Sequence, residues 1–169
     1  MSAPVSVREA RPGEYGGLAS LVLDAYEAVL GPGFDGEYAA ELADVATRAT
    51  QGVTLVAVDA GGAILGCITY VPGPGPLAWF DSADEAGMRV LAVARHAQGR
   101  GVGAALVGAC VARARAAGKA RLLLHTTTSF TVAQRLYQRL GFRRDPGRDQ
   151  VLDSGLVLIA YVLDLGPGR

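Results

Sequence analysis

The feature of this sequence that most limits its fold is the stretch from Leu91 to Ala104, in which an apolar strand leads through a glycine-rich turn into a helix. Glycines in such a turn let the backbone approach a ligand closely, and the unpaired amides at the start of the helix donate hydrogen bonds to an anion. Phosphate is the usual anion at this kind of turn. The pattern therefore predicts a phosphate site, with a purely structural turn as the alternative.

The order of residues in this turn distinguishes the common phosphate-binding motifs. A P-loop requires the pattern G-x-x-x-x-G-K-[ST], which the sequence does not contain. The residues Gly99, Gly101 and Ala104 fit the G-x-G-x-x-G/A pattern of dinucleotide folds, but the turn begins several residues beyond the strand. The next strand ends at residues 124–126 (Leu-His-Thr) without the acid that binds a ribose. These differences argue against a dinucleotide enzyme.

Strand and helix patterns alternate along the chain, which predicts an α/β domain. Strands are predicted near residues 5–8, 53–58, 63–71, 87–94, 121–126 and 155–163, and helices near residues 12–30, 35–50, 100–117 and 130–140. The expected architecture is a single domain over residues 1–169, with a mixed central sheet of six to seven strands flanked by helices. A chain of 169 residues buries about 70% of its unfolded surface, which is enough for a core of this size.

Composition excludes several other classes of protein. Half of the residues are hydrophobic and 19% are charged, which excludes a disordered chain. Two cysteines and two histidines are too few for a disulfide framework or a dedicated Cys/His zinc site, so no metal is expected. The first residues lack a signal-peptide pattern, and prolines and glycines interrupt the uncharged run over residues 60–80. The sequence therefore predicts a cytoplasmic protein without membrane contact.

Charge is distributed unevenly along the chain, although the formal net charge is zero. Residues 1–85 carry a net charge of −9, whereas residues 86–144 contain eleven basic residues and no acid. Such a run predicts a surface for a polyanionic ligand, and solvated arginines on helix faces are the alternative. Nucleic acid is not the expected ligand, because aromatic residues are not interleaved with the basic ones.

Two segments resemble the GCN5-related N-acetyltransferase (GNAT) superfamily. The first is Gln98-Gly99-Arg100-Gly101-Val102-Gly103, which fits the family signature Q/R-x-x-G-x-G/A and follows Leu91-Ala92-Val93 in the place of the family's fourth strand. The second covers residues 133–142 and resembles the family segment A-x-x-L-Y-x-x-L-G-F. A helix and a strand are predicted between the two segments, as in the family.

The resemblance implies that acetyl-CoA is the co-substrate and that an amine accepts the acetyl group. In the family, the fourth and fifth strands splay apart, and backbone groups of the fourth strand bind the arm of CoA in the gap; here these belong to Leu91, Ala92 and Val93. The Val93 amide would polarise the thioester carbonyl, as an oxyanion hole does. The pyrophosphate would lie on the turn, which consists of Gln98, Gly99, Arg100, Gly101, Val102, Gly103 and Ala104.

Two residues are the candidates for proton transfer. Tyr137 matches the family's usual donor tyrosine and would donate a hydrogen bond to the departing thiolate, with simple packing as the alternative. Full proton transfer is not expected, because a phenol is a weaker acid than a thiol. Glu85 is the first candidate for the general base, since it lies six residues before Leu91 and hence on the same face of a regular strand, although the family's glutamate lies further along. The alternatives are water, Asp81, Asp84 and His125.

The acceptor is predicted only as a class, a primary amine of a small molecule or a peptide. The family's acceptor pocket corresponds here to the aromatic residues Tyr26, Phe34, Tyr38, Trp79 and Phe80. Ser129 is expected to cap the helix after the fifth strand, and Cys67 and Cys110 are expected in the core. Members of the family are often dimers, so a homodimer is an expectation. A non-catalytic acyl-CoA-binding regulatory module on the same fold is the alternative function.

Overall fold

The structure, a computed structural model, describes residues 4–31, 34 and 36–166, and it consists of helices packed on a mixed β-sheet. The helices are α1 (Tyr15–Leu30), α2 (Gly36–Ala43), α3 (Val45–Gln51), α4 (Val102–Ala116) and α5 (Thr131–Arg139). The strands are β1 (Ser6–Glu9), β2 (Val53–Val58), β3 (Ile64–Val71), β4 (Glu85–Val93), β5 (Arg121–Thr127), β6 (Arg143–Arg144), β7 (Gln150–Val151) and β8 (Val157–Asp164). Short 3₁₀ turns occupy Pro12–Glu14, Arg95–Ala97 and Pro146–Arg148.

The sheet has the strand order β1-β2-β3-β4-β5-β8-β6, and β7 also pairs with β8. Strands β4 and β5 run parallel, and the other pairs are antiparallel. The predicted α/β class with a mixed sheet is confirmed. The sheet has eight strands where six to seven were expected, because two strands of two residues each, β6 and β7, extend it beside β8.

Strands β4 and β5 separate halfway along their length. Their pairing runs from Glu85 opposite Arg121 to Met88 opposite Leu124 and then ends, although β4 continues to Val93. A β-bulge in β4 lies just beyond this point, because two residues, Val90 and Leu91, face one residue of β3. Val90 has a φ of 59°, which is rare for a β-branched residue. The bulge bends β4 away from β5 and opens a gap in the sheet.

The core lies on both faces of the sheet, as the alternation of side chains in β2 shows. Leu55 and Ala57 belong to the cluster under α4 and α5, whereas Val56 and Val58 belong to the cluster under α1, α2 and α3. Cys67 and Cys110 are buried in these two clusters as predicted. Burial raises the pKa of each thiol to about 12, so both remain protonated.

The helix predicted over residues 35–50 is two helices in the structure, and Asp35 lies outside the described residues. Asp44 separates α2 from α3, since its Oδ1 accepts a hydrogen bond from the Thr47 amide (3.1 Å) and caps the second helix. Arg48 then donates to the carbonyls of Glu41 (2.7 Å) and Leu42 (2.6 Å) at the end of α2. Residues of α2 lie beside the gap between β4 and β5. None of the described helices is long and apolar enough to cross a membrane.

Candidate active site

The glycine turn connects β4 to α4 and leaves backbone donors free. Gly99 (φ 76°) and Gly101 (φ 78°) adopt the left-handed conformation, which favours glycine, and Gly101 is the N-cap of α4. The amide of Ala105 bonds to the carbonyl of Gly101 (3.0 Å), so the first turn of the helix begins there. The amides of residues 102–104 precede that bond and have no partner within the helix. The turn can therefore bind an anion.

Gly103 has a different role in this segment. A Cβ atom at this position would lie 2.9 Å from Cδ2 of Leu136, and the backbone of Gly103 is not in the left-handed region. The glycine therefore leaves room for the Leu136 side chain of α5 beside the start of α4. Gly103 is thus a packing glycine, and the sequence motif alone does not distinguish it from Gly99 and Gly101.

The basic run of residues 86–144 is partly neutralised in the structure. Five of its side chains form ion pairs with acids from other segments, namely Arg89–Glu41, Arg113–Glu9, Arg121–Glu85, Arg143–Asp164 and Arg144–Asp149. Arg95, just before the glycine turn, and Arg100, within it, have no carboxylate within 4.0 Å among the described residues. The uncompensated positive charge thus includes a side chain before the turn and one within it.

The gap between β4 and β5 opens into a cleft. Its walls include Arg89 and Val90 of β4, and His125, Thr126 and Thr127 of β5. A smaller cavity shares these strands and is also lined by Leu91, Ala133 and Tyr137. The predicted donor tyrosine and the strand residues beyond the bulge therefore surround one continuous region.

Tyr137 projects from α5 into the core beneath this region and is 5% exposed. Its ring packs near Phe142 (5.9 Å between centroids) and Tyr161 (6.1 Å). Burial raises the pKa of the phenol well above its ordinary value. The hydroxyl therefore stays protonated at neutral pH and can act as a hydrogen-bond donor.

Glu85 does not have the environment that a general base requires. Its carboxylate is 4% exposed and accepts hydrogen bonds from Arg121 Nε (2.8 Å) and from both terminal nitrogens of Arg148 (2.7 and 3.2 Å). Burial alone would raise the pKa of Glu85, but the two arginines outweigh it, and the pKa is lowered. Glu85 also lies at the paired end of β4, outside the cleft lining. The alternatives Asp81 and Asp84 are exposed and outside that lining, whereas His125 lies within it.

Aromatic residues form the outer wall of the cleft. Of the five predicted acceptor residues, the four that line the cleft are Tyr26, Tyr38, Trp79 and Phe80. Phe34 instead packs behind Tyr26 (6.3 Å between centroids). Phe130, which was not among the predicted acceptor residues, completes the wall, with its ring centroid 4.9 Å from that of Tyr26.

Arg89 is a second lining residue that the prediction missed. Its guanidinium lies over the ring of Trp79 (5.4 Å) and bonds to the Glu41 carboxylate (2.8 Å). It is the one charged residue in the apolar part of β4, over residues 86–93. A single charge in an apolar strand could have identified Arg89 as a residue of the site.

The end of β5 leaves one polar group without a protein partner. The Thr127 hydroxyl is buried in the cleft wall and has no hydrogen bond among the described residues. The prediction that Ser129 caps α5 is wrong, because Phe130 is the N-cap residue and provides no side-chain bond. Gln134 instead donates from its side chain to the carbonyls of Thr127 (3.1 Å) and Thr128 (3.2 Å).

Solved structures with the same fold come from bacterial acetyltransferases. A GNAT-family acetyltransferase from Staphylococcus aureus Mu50 has a TM-score of 0.74 at 16% identity, with 96% of this chain and 99% of that chain covered. A GCN5-related N-acetyltransferase from Kribbella flavida has a TM-score of 0.71 at 26% identity (95% and 97% covered). A structure of yncA from Salmonella typhimurium with its cofactor acetyl-CoA has a TM-score of 0.67 at 18% identity (98% and 98% covered).

A comparison with curated protein sequences finds no match. The family described as Acetyltransferase (GNAT) matches residues 18–142, which include the glycine turn, both splayed strands and Tyr137. This match covers most of the chain and agrees with the fold. The chain belongs to the acetyltransferase (GNAT) family.

Proposed function

We propose that this protein transfers the acetyl group of acetyl-CoA to a primary amine of a small molecule or peptide, by direct attack in a ternary complex. The observation that carries the proposal is the gap between β4 and β5, which opens into an aromatic cleft beside the half of β4 that leads to the glycine turn. The donor would enter from the turn and the amine from the cleft. The two substrates would meet beside Tyr137.

Three features of the site fit a CoA thioester. The free amides of residues 102–104 suit the pyrophosphate, and Arg95 and Arg100, which pair with no carboxylate of the described residues, suit the further negative charge of CoA. The buried Thr127 hydroxyl has no partner in the part of the chain that the structure describes and can bond to an amide of the pantetheine arm. Among the described residues, no group of three or more His, Cys, Asp or Glu side chains comes together as a metal site.

The backbone of β4 supports the predicted role of Val93. The amide of Ala94 donates to the Leu65 carbonyl on β3 (2.8 Å). Backbone groups alternate in direction along a strand, so those of Val93 point away from β3 and toward the gap. The Val93 amide is then available to the thioester carbonyl, whereas Ala92 faces β3. Leu91 lies in the bulge and lines the smaller cavity.

The reaction requires charge stabilisation at two atoms. The amine nitrogen attacks the carbonyl carbon, and the Val93 amide stabilises the negative charge that develops on the oxygen. The carbon–sulfur bond then breaks and the thiolate leaves with the electron pair. The Tyr137 hydroxyl, kept protonated by burial, donates a hydrogen bond to that sulfur.

The proposal is tested by binding and by turnover. Acetyl-CoA should raise the melting temperature and NADH should not, and the shift should shrink as salt rises because charge attraction is screened over about 10 Å at 0.1 M. A panel of amines and peptides, assayed by thiol release, should include at least one acetylated acceptor. Tight CoA binding without transfer to any amine would favour the regulatory module instead.

A further inference from the structure

We propose that His125 is the general base for the acceptor amine, and that Arg148, anchored by Glu85, fixes the tautomer in which the base is active. This inference rests on the proposed acetyl transfer. It assigns the proton acceptor to β5 and gives the buried Glu85 a positioning role.

The position of His125 follows from the strand register. Leu124 forms the last pair between β5 and β4, so His125 is the first residue of β5 beyond the point of separation. Its side chain lines both the aromatic cleft and the smaller cavity that contains Tyr137. The ring of Trp79 packs against the imidazole (4.7 Å between centroids) and restricts its rotation. The base is thus placed between the acceptor wall and the site of thiolate departure.

One hydrogen bond defines the tautomer of this imidazole. Nε2 of His125 lies 2.8 Å from the backbone carbonyl oxygen of Arg148. A carbonyl oxygen accepts and never donates a hydrogen bond, so Nε2 must carry the proton. In the neutral ring Nδ1 is then the unprotonated nitrogen, and no protein donor bonds to it in the part of the chain that the structure describes. Nδ1 therefore has a free lone pair for an incoming amine.

The imidazole is neutral at the pH where the base must act. Burial lowers the pKa of His125, and this effect exceeds the opposing effects of the Arg148 carbonyl and Asp149. Arg89 across the cleft and Arg148 beside the ring also lower it, because each disfavours a second positive charge. Glu41 lines the same cleft but is paired with Arg89.

Arg148 is held in place by two carboxylates. Its terminal nitrogens bond to Glu85 (2.7 and 3.2 Å), and its Nε lies 3.3 Å from Asp145 at the start of the same turn. The ion pair with Glu85 joins the 3₁₀ turn Pro146–Arg148 to the paired end of β4. The Arg148 carbonyl is therefore fixed relative to His125, which explains why a carboxylate is buried at Glu85 outside the cleft.

The proton balance of the step is simple. Nδ1 of His125 takes the proton that the amine nitrogen loses as its bond to the carbonyl carbon forms. The imidazolium returns this proton to solvent after the amide product leaves. The electron pair of the broken carbon–sulfur bond stays on the thiolate, which accepts a hydrogen bond from the Tyr137 hydroxyl and then takes a proton from solvent.

The first test uses His125→Gln, whose side-chain amide can still donate to the Arg148 carbonyl but lacks the basic nitrogen. With an acceptor that the native protein acetylates, kcat should fall by about 10²- to 10⁴-fold at pH 7, with little change in the KM for acetyl-CoA. The acidic limb of the native pH profile, with its midpoint below the ordinary histidine pKa, should disappear. Undiminished kcat in the variant would overturn the base role and leave the proposed acetyl transfer intact.

The second test observes the tautomer directly by NMR and uses kcat as a second readout. In untagged protein with ¹⁵N-labelled histidine, NMR should show a protonated Nε2 and an unprotonated Nδ1 for His125 at pH 7. The chain has two histidines, so the signals that remain in His96→Gln belong to His125. Glu85→Gln should mix the tautomers and lower kcat by between about tenfold and 100-fold, with the acetyl-CoA KM unchanged. A protonated Nδ1 in the native protein, or an unaltered tautomer and kcat in Glu85→Gln, would overturn the positioning role.

Discussion

Gly103 in the first turn of α4 and Leu136 on α5 are packed so closely that a Cβ atom on Gly103 would lie 2.9 Å from Leu136 Cδ2. Leu136 lies on α5, directly before Tyr137. The glycine signature of the turn therefore serves two purposes, since Gly99 and Gly101 shape the turn and Gly103 leaves room for the Leu136 side chain.

Gly103→Ala should lower the free energy of unfolding by up to about 1 kcal/mol relative to Gly108→Ala, because the added methyl displaces the end of the Leu136 side chain. Combining it with Leu136→Ala should recover part of that loss, as a double-mutant cycle in urea would show. Gly108→Ala is the matched control, since it lies in the same helix with nothing within 4 Å of its Cβ. Equal stability of the Gly103 and Gly108 variants would contradict the packing role.

Gly101→Ala should lower the affinity for CoA without disturbing side-chain packing. A Cβ atom added at this position would have nothing within 4 Å. The φ angle is 78°, however, and a left-handed conformation costs a residue with a Cβ about 1–2 kcal/mol. Relaxation of that strain would redirect the first amides of α4, so the affinity for CoA should fall about tenfold. Calorimetric titration of the variant and of Gly108→Ala would measure this, and equal affinities would show that the turn is only structural.

Tyr137→Phe should keep the fold and CoA binding, because the ring and its contacts with Phe142 and Tyr161 remain. The thiolate loses its donor, so kcat should fall by up to about 10²-fold, with water recovering part of the effect. Steady-state kinetics with a confirmed acceptor provide the measurement. Full activity in this variant would exclude the donor role.

Glu85 should make folding stability depend on acid pH. Its pKa is lowered below the unfolded value of 4.5, so its stabilising contribution is complete above that pH and is lost as the pH falls through the folded pKa. Glu85→Gln should cost about 1–3 kcal/mol at pH 7, and the difference from the native protein should shrink below about pH 4.5. Glu41→Gln, at a side chain 56% exposed, should cost about 0–1 kcal/mol. If the difference in the free energy of unfolding between Glu85→Gln and the native protein stays constant from pH 7 to pH 3, the ion pairs of Glu85 do not contribute to stability.

Local patterns predicted the parts of the fold that depend on neighbouring residues. The strands around the hairpin at residues 59–62, the helix after the glycine turn and the glycine at position 118 that ends it were all predicted from sequence. The long helix over residues 35–50 failed because Asp44 bonds the Thr47 amide and starts a new helix. That signal was present, since aspartate is a preferred N-cap residue, but the apolar period continued through it.

The candidate site shows where local patterns stop being informative. The six-residue spacing from Leu91 predicted that Glu85 lies on the same face of β4, but the bulge at Val90 changes the strand register between the two residues. Its partners Arg121 and Arg148 lie 36 and 63 residues away, and no local spacing predicts either pair. The partner of His125 is a backbone carbonyl, which has no sequence signature at all.

The bulge at Val90 determines which positions of the proposed enzyme tolerate substitution. In the proposed reaction, main-chain groups of β4 beyond the bulge would recognise the donor, and every residue except proline carries the same N–H and C=O. Val93 can therefore exchange with other apolar residues of similar size without altering how the thioester is held, whereas proline there would remove the amide. Donor binding would therefore depend on the backbone conformation of β4. The aromatic side chains of the cleft could then change to fit a different amine without loss of donor binding.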